Sequence, residues 1–286
     1  MDITTFKKID SVSLVRGISG SILGKSISRS FTSQSTFSQD SHPSSLCSKP
    51  DFFASYGRDP TGLACAFGVC ESKETSPFTL EDFPWPIDAL EPHYPKKVIE
   101  IHRLHHKGYC TKSQAALEGT KLEGKPIEYV ISHLEELPVG LRQKVKNVGG
   151  GYANHTFFWK CLSPKFDQPL PAGLKAQVEK DFGSVDEMWK IFSGKLSTLF
   201  GSGWTWMVFN AKTGKLEIMN TVNQDSPIND PKLGLIPVLA IDSWEHAWYL
   251  YCQNRKPEYV EHVRHMINWE FVDRCLTAAK KYGSIE

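Results

Sequence analysis

The segment Asp242-Ser243-Trp244-Glu245-His246-Ala247-Trp248-Tyr249 sets a carboxylate and an imidazole four residues apart, with a Trp and a second carboxylate between them. Oxygen and nitrogen donors in this mixture suit hard-to-borderline first-row metals such as manganese and iron. His102 and His155 lie upstream and complete a set of three imidazoles and one carboxylate with no thiolate. That set points to a redox-metal centre. The Asp-x-x-x-His pair alone carries little, because it arises by chance in many proteins. The elements and motifs around it decide what it is worth.

Pro95 to about Leu117 reads as a helix that starts after a proline. A second helix is expected from Ile127 to about Asn147, disturbed at Pro138-Val139-Gly140, and a third over Asn154–Trp159. Ser184-Val185-Asp186-Glu187 has the Ser-x-x-Glu spacing of a capping box and opens an apolar-periodic run that ends near Leu199. Three β-rich runs follow, at Trp204–Asn210, Leu216–Val222 and Ile236–Ile241, with Ala211-Lys212-Thr213-Gly214 as a hairpin turn between the first two. Helices return over Glu245–Cys252 and Glu258–Tyr282. Helices first, then strands wrapped by helices, predict an α+β fold rather than a parallel sheet.

Composition bounds the function. Of 286 residues, 40% are hydrophobic and 23% charged, the balance of an ordinary globular protein. A net charge of +1 with no basic run gives no case for a nucleic-acid partner. The longest apolar segments are too short for a bilayer, so no membrane partner is expected. Seven cysteines, an odd number without a CxxC pair, argue against a disulfide framework or a structural zinc site.

Residues 1–76 read as a targeting peptide and linker. Residues 1–50 are rich in Ser and Thr, carry Lys7, Lys8, Arg16, Lys25 and Arg29, and hold only Asp2 and Asp10 as acids before Asp40. This is the composition of organelle import segments. Arg29-Ser30-Phe31-Thr32-Ser33 resembles a mitochondrial processing site, so the mitochondrial matrix is the expected destination and the plastid the alternative.

The chain from about Phe78 to about Ala279 resembles the iron/manganese superoxide dismutase family. The match rests on Asp88-Ala89-Leu90-Glu91-Pro92-His93, Glu100-Ile101-His102, His105-His106-Lys107-Gly108-Tyr109, the run from Gly149 to Trp159, Phe200-Gly201-Ser202-Gly203-Trp204-Thr205-Trp206, Asn223-Gln224-Asp225-Ser226-Pro227 and Asn268-Trp269-Glu270-Phe271-Val272, in the family's order. The resemblance implies an N-terminal helical hairpin domain at 77–163 and a C-terminal domain at 164–286 with a three-stranded antiparallel sheet. It implies His102, His155, Asp242 and His246 as metal ligands, two from each domain. Superoxide is then the substrate, with dioxygen and hydrogen peroxide as products. Gln224 stands where manganese-type members carry the Gln that tunes solvent at the metal; iron-type members carry it at the position of Gly151. Manganese is therefore the expected cofactor, and Thr156-Phe157, which looks iron-like, keeps iron as the alternative. Tyr109 and His105 match residues that gate the channel and relay protons, and Trp204, Trp206 and Trp244 match its apolar wall. Glu245 and Tyr249 match residues that reach into a partner subunit, which implies a homodimer or homotetramer.

One departure matters. The family spaces its first His ligand four residues from the first His of the His-His pair, whereas His102 and His105 are separated by three. Two helical turns take about 7.2 residues, so His102 and Tyr109 can still share a face. The other register would put Ile101 at the ligand position and cripple the site. A catalytically inactive protein that keeps the fold as a structural subunit is the rival reading. A two-His, one-carboxylate oxygenase is disfavoured by the third histidine.

Overall fold

The structure is a computed structural model and describes residues 78–283. The expected targeting peptide and linker fall outside the described residues. Val98, Ile99, His102, His106, Cys110, Ser113 and Leu117 are buried at intervals of mostly three or four, the stripe of a helix laid against a core. This is α1, Lys96–Leu117, and Pro95 precedes it as expected.

The next stretch differs from expectation. α2 spans only Ile127–Ser132, a short 3-10 turn covers Leu134–Glu136, and α3 runs unbroken from Val139 to Lys160. Pro138 has no N–H to give and its ring crowds the carbonyl four residues back, so it ends one helix and starts another. The separate helix expected at Asn154–Trp159 is the last part of α3. Gly149-Gly150-Gly151 would weaken an isolated helix, at roughly 1 kcal/mol per glycine. Packing explains two of them. A Cβ on Gly150 would lie 2.3 Å from the Gln224 carbonyl oxygen, and one on Gly151 would lie 2.5 Å from Cδ1 of Tyr109. α1 and α3 pack together as the helical hairpin.

Beyond the hairpin, α4 (Ala172–Phe182) was not anticipated; it buries Leu174, Gln177 and Val178. α5 spans Val185–Thr198. Its Ser184 cap accepts the Glu187 N–H at 3.0 Å, while the Glu187 carboxylate takes the Lys190 ammonium at 3.1 Å. Strands β1 (Gly203–Asn210), β2 (Lys215–Val222) and β3 (Leu235–Asp242) form one antiparallel sheet in the order β2-β1-β3. The hairpin between β1 and β2 turns at Gly214, φ 67°. Pro237 is tolerated because β3 lies at the sheet edge, and a register shift at Met207/Val208 falls opposite it.

α6 (Glu245–Cys252), α7 (Lys256–Met266) and α8 (Trp269–Gly283) close the chain. The single helix expected over Glu258–Tyr282 is thus two. Ile267 bridges to Leu162, the Asn268 N–H donates to the Cys161 carbonyl at 2.8 Å, and Asn268 Oδ1 caps α8 by accepting the Phe271 N–H at 3.1 Å. The architecture is α+β: a helical hairpin domain and a C-terminal domain with a three-stranded antiparallel sheet. Among the described residues no helix is long and apolar enough to cross a membrane.

Candidate metal centre

Four elements each deliver one donor: α1 His102, α3 His155, the last residue of β3 Asp242, and the first turn of α6 His246. One ligand atom from each lies within 4.8 Å of all the others. His102, His155 and Asp242 are fully buried, and only His246 keeps an exposed edge.

Asp242 is aimed from three sides. It pairs with Trp204 in the β1–β3 ladder, its carbonyl accepts the Tyr259 hydroxyl at 2.8 Å, and its Oδ1 accepts the Trp244 N–H at 2.8 Å. Oδ2 is left facing the Nε2 atoms of His102 at 3.1 Å, His246 at 3.2 Å and His155 at 3.5 Å. Burial pushes this carboxyl up, and the clustered His246 and His102 imidazoles outweigh it, holding Asp242 below the ordinary carboxylate range. Burial drives His102 down to about 4 and His155 well below the usual imidazole range, so both are neutral at pH 7.

His155 shows what the cluster fits. Its Nδ1 lies 2.6 Å from the Gly151 carbonyl oxygen, which can only accept, so Nδ1 carries the proton. Nε2 is then a buried lone pair with no hydrogen-bond partner, turned toward a carboxylate oxygen. Two acceptors enclosed face to face are unfavourable unless a cation lies between them. Three imidazoles and one carboxylate suit manganese or iron.

A second layer stands beside the donors. Gln224 Oε1 accepts the Trp204 indole N–H at 3.0 Å and the Asn154 amide at 3.4 Å. The indole can only donate, so the Gln224 NH₂ must face the Tyr109 hydroxyl, 3.1 Å away. Burial raises Tyr109, and the Gln224 hydrogen bond partly offsets this. The space of a side chain at Gly151 is taken by the Tyr109 ring, and the amide comes from the sheet side instead.

The shortened His102–His105 spacing leaves α1 regular. His102, not Ile101, is among the donors, and Tyr109 stays on the same face. His105 is exposed and its ring stacks on His246 at 4.4 Å between centroids, 17° apart in plane. Trp204 meets His155 edge-on at 5.1 Å and Trp244 lies 5.7 Å from His246. Trp206, expected in the same wall, instead packs on Phe157 and Trp204 and gives its N–H to Thr221. Two residues from Trp204 on β1, it lies on the same face of the sheet and is equally buried. Glu245 and Tyr249 face outward, and Tyr249 is 53% exposed. Sequence reasoning missed Asn154, the Gly151 carbonyl and Tyr94, whose hydroxyl lies 2.7 Å from His102 Nδ1. The Asn before His155 was a usable signal; nothing near Tyr94 was.

The described alpha-hairpin domain of the iron/manganese superoxide dismutases matches residues 77–163, and the C-terminal domain of the same family matches 171–275. The chain belongs to the iron/manganese superoxide dismutase family. Each family domain contributes two of the four clustered donors: His102 and His155 fall in the first match, Asp242 and His246 in the second. The segment between the two matches, residues 164–170, holds Asp167 but none of the four.

Proposed function

We propose that this chain is a superoxide dismutase, converting two superoxide ions and two protons to dioxygen and hydrogen peroxide at one manganese ion, with iron as the alternative metal. The carrying observation is the unpartnered Nε2 of His155, enclosed with two further imidazole nitrogens around Asp242 Oδ2. A bound manganese or iron ion would supply reversible one-electron chemistry, accepting an electron from one superoxide and returning it to the next. His102, His155, Asp242 and His246 would hold it, with the single negative charge of Asp242 offsetting the higher metal charge. The Trp204 and Trp244 rings lie against His155 and His246 and would form an apolar wall that limits access to small anions.

Protons need a separate path, and Tyr109 with Gln224 supplies one. The Gln224 amide donates to the Tyr109 oxygen, which leaves the phenol proton free to be given elsewhere. Gln224 on the sheet side and glycine at 151 favour manganese over iron. Thr156, which accounts for the iron alternative, gives its hydroxyl to the Tyr152 carbonyl and lies 3.1 Å from His106 Nε2.

Self-association through Glu245 and Tyr249 belongs to the same reading. Glu245 accepts a hydrogen bond from Ser202, and Phe200, two residues from Ser202, is 98% exposed. The exposed Phe200, Tyr249 and Leu250 support that reading. Delivery to the mitochondrial matrix, with the plastid as the alternative, is supported by the N-terminal composition and by the Arg29-Ser30-Phe31-Thr32-Ser33 segment.

Metal analysis of the purified mature chain, paired with a superoxide-consumption assay, tests the proposal. Activity on reconstitution with manganese and not with iron supports the Gln224 argument. Bound metal without superoxide consumption defeats the enzyme reading and leaves the structural-subunit rival standing. Gln224→Ala is expected to lower turnover by about 10–100-fold with little loss of metal; unchanged turnover would remove Gln224 from the proton path.

A further inference from the structure

The two fully buried imidazoles of the centre turn their Nδ1 atoms to unlike partners. His155 meets a backbone carbonyl, which accepts and never donates, so one tautomer is enforced. His102 meets the Tyr94 hydroxyl at 2.7 Å, and a phenol can do either. Tyr94 is fully buried. Its N–H donates to the Leu90 carbonyl at 2.9 Å, and its ring sits among Tyr251 at 5.8 Å, Tyr259 at 6.4 Å and Trp159 at 6.5 Å. The ring is held; only the hydroxyl proton can turn.

We propose that Tyr94 is a positioning residue that lets His102 hold either tautomer, making it the adaptable ligand beside a rigid His155. With the proton on Nε2, His102 donates to Asp242 Oδ2 at 3.1 Å and Tyr94 donates to Nδ1. With the proton on Nδ1, His102 donates to the Tyr94 oxygen and Nε2 offers its lone pair to a metal ion. The proton count is the same in both. This rests on the four donors binding a metal, not on superoxide chemistry. Outer partners of ligand histidines typically shift metal affinity 10–100-fold.

The test uses the full chain with ¹⁵N-labelled histidine, stripped of metal or loaded with zinc as a diamagnetic probe. In the wild type, long-range ¹H–¹⁵N spectra should show His102 protonated on Nε2 without zinc and on Nδ1 with it, while His155 stays protonated on Nδ1 throughout. Tyr94→Phe should weaken zinc binding by about 10–100-fold, and Tyr251→Phe, which disturbs the same packing without touching His102, should leave it unchanged. A His102 that keeps one tautomer in both states overturns the proposal. So does equal weakening by both variants, which would mean packing alone. A wild type that switches tautomer and consumes no superoxide would defeat the enzyme reading and leave this one intact.

Discussion

Two groups of histidines sit in this molecule, and they are organised in opposite ways. In the inner group, three Nε2 atoms converge on one carboxylate oxygen among side chains that are buried but for an edge of His246. In the outer group, His93 stacks on His265 at 4.4 Å, its Nδ1 lies 3.3 Å from Nδ1 of His262, and His265 Nδ1 lies 2.6 Å from an Asp167 oxygen. Its rings are part-exposed, so protons and water satisfy them. Clustering alone therefore says little about metal binding. What distinguishes the inner group is a buried lone pair with no hydrogen-bond partner, facing a carboxylate oxygen.

The sharpest way to break this contrast is to remove charge without removing shape. Asp242→Asn should leave the fold and abolish binding, with metal content by mass spectrometry falling to roughly a few per cent of wild type. The outer double variant His93→Gln/His262→Gln should keep full metal content. Loss of metal in the outer variant, or its retention in Asp242→Asn, would erase the distinction.

A smaller effect is expected at Gly151, whose carbonyl orients His155. Gly151→Ala would drive a Cβ into the Tyr109 ring, 2.5 Å away, and should cost about 1–3 kcal/mol in denaturant unfolding. A neutral substitution would mean that Tyr109 can move freely, and would weaken the case that Gln224 owes its place to the glycine.

The smallest effect concerns pH. Burial, then the neighbouring histidine charges, lower the proton affinity of His93 and His262, with Asp167, Glu258 and Glu261 opposing. The fold prefers both neutral, so the unfolded chain takes up protons first, and their contribution is complete above about pH 6.5 and lost as pH falls below it. Both residues are part-exposed, so the loss is modest. The melting temperature of the wild type minus that of the outer double variant should fall by on the order of 1 °C between pH 7 and 5. A rise would mean that the outer carboxylates, not the imidazole pair, dominate the cluster.

How much was legible depended on whether the deciding chemistry was local. Pro95 before α1, the Ser184 cap and the Gly214 hairpin turn are settled by a few adjacent residues, and all three stand where the sequence places them. The break between α7 and α8 was not legible, because Asn268 finds its partners at Lys160 and Cys161, more than a hundred residues away. The continuity of α3 through its glycines was not legible for the same reason: the neighbours of Gly150 and Gly151, Gln224 and Tyr109, come from other elements.

At the centre the division is sharper. Residue types and order alone determine that three imidazoles and a carboxylate are on offer, that a Gln stands at 224, and that helices carry the three imidazoles. Tertiary structure alone decides which imidazole nitrogen bears a proton, since that depends on whether a carbonyl or a phenol lies behind the ring. It also decides that His102 rather than Ile101 faces inward, because only the packed α1 sets which side of the helix meets Asp242.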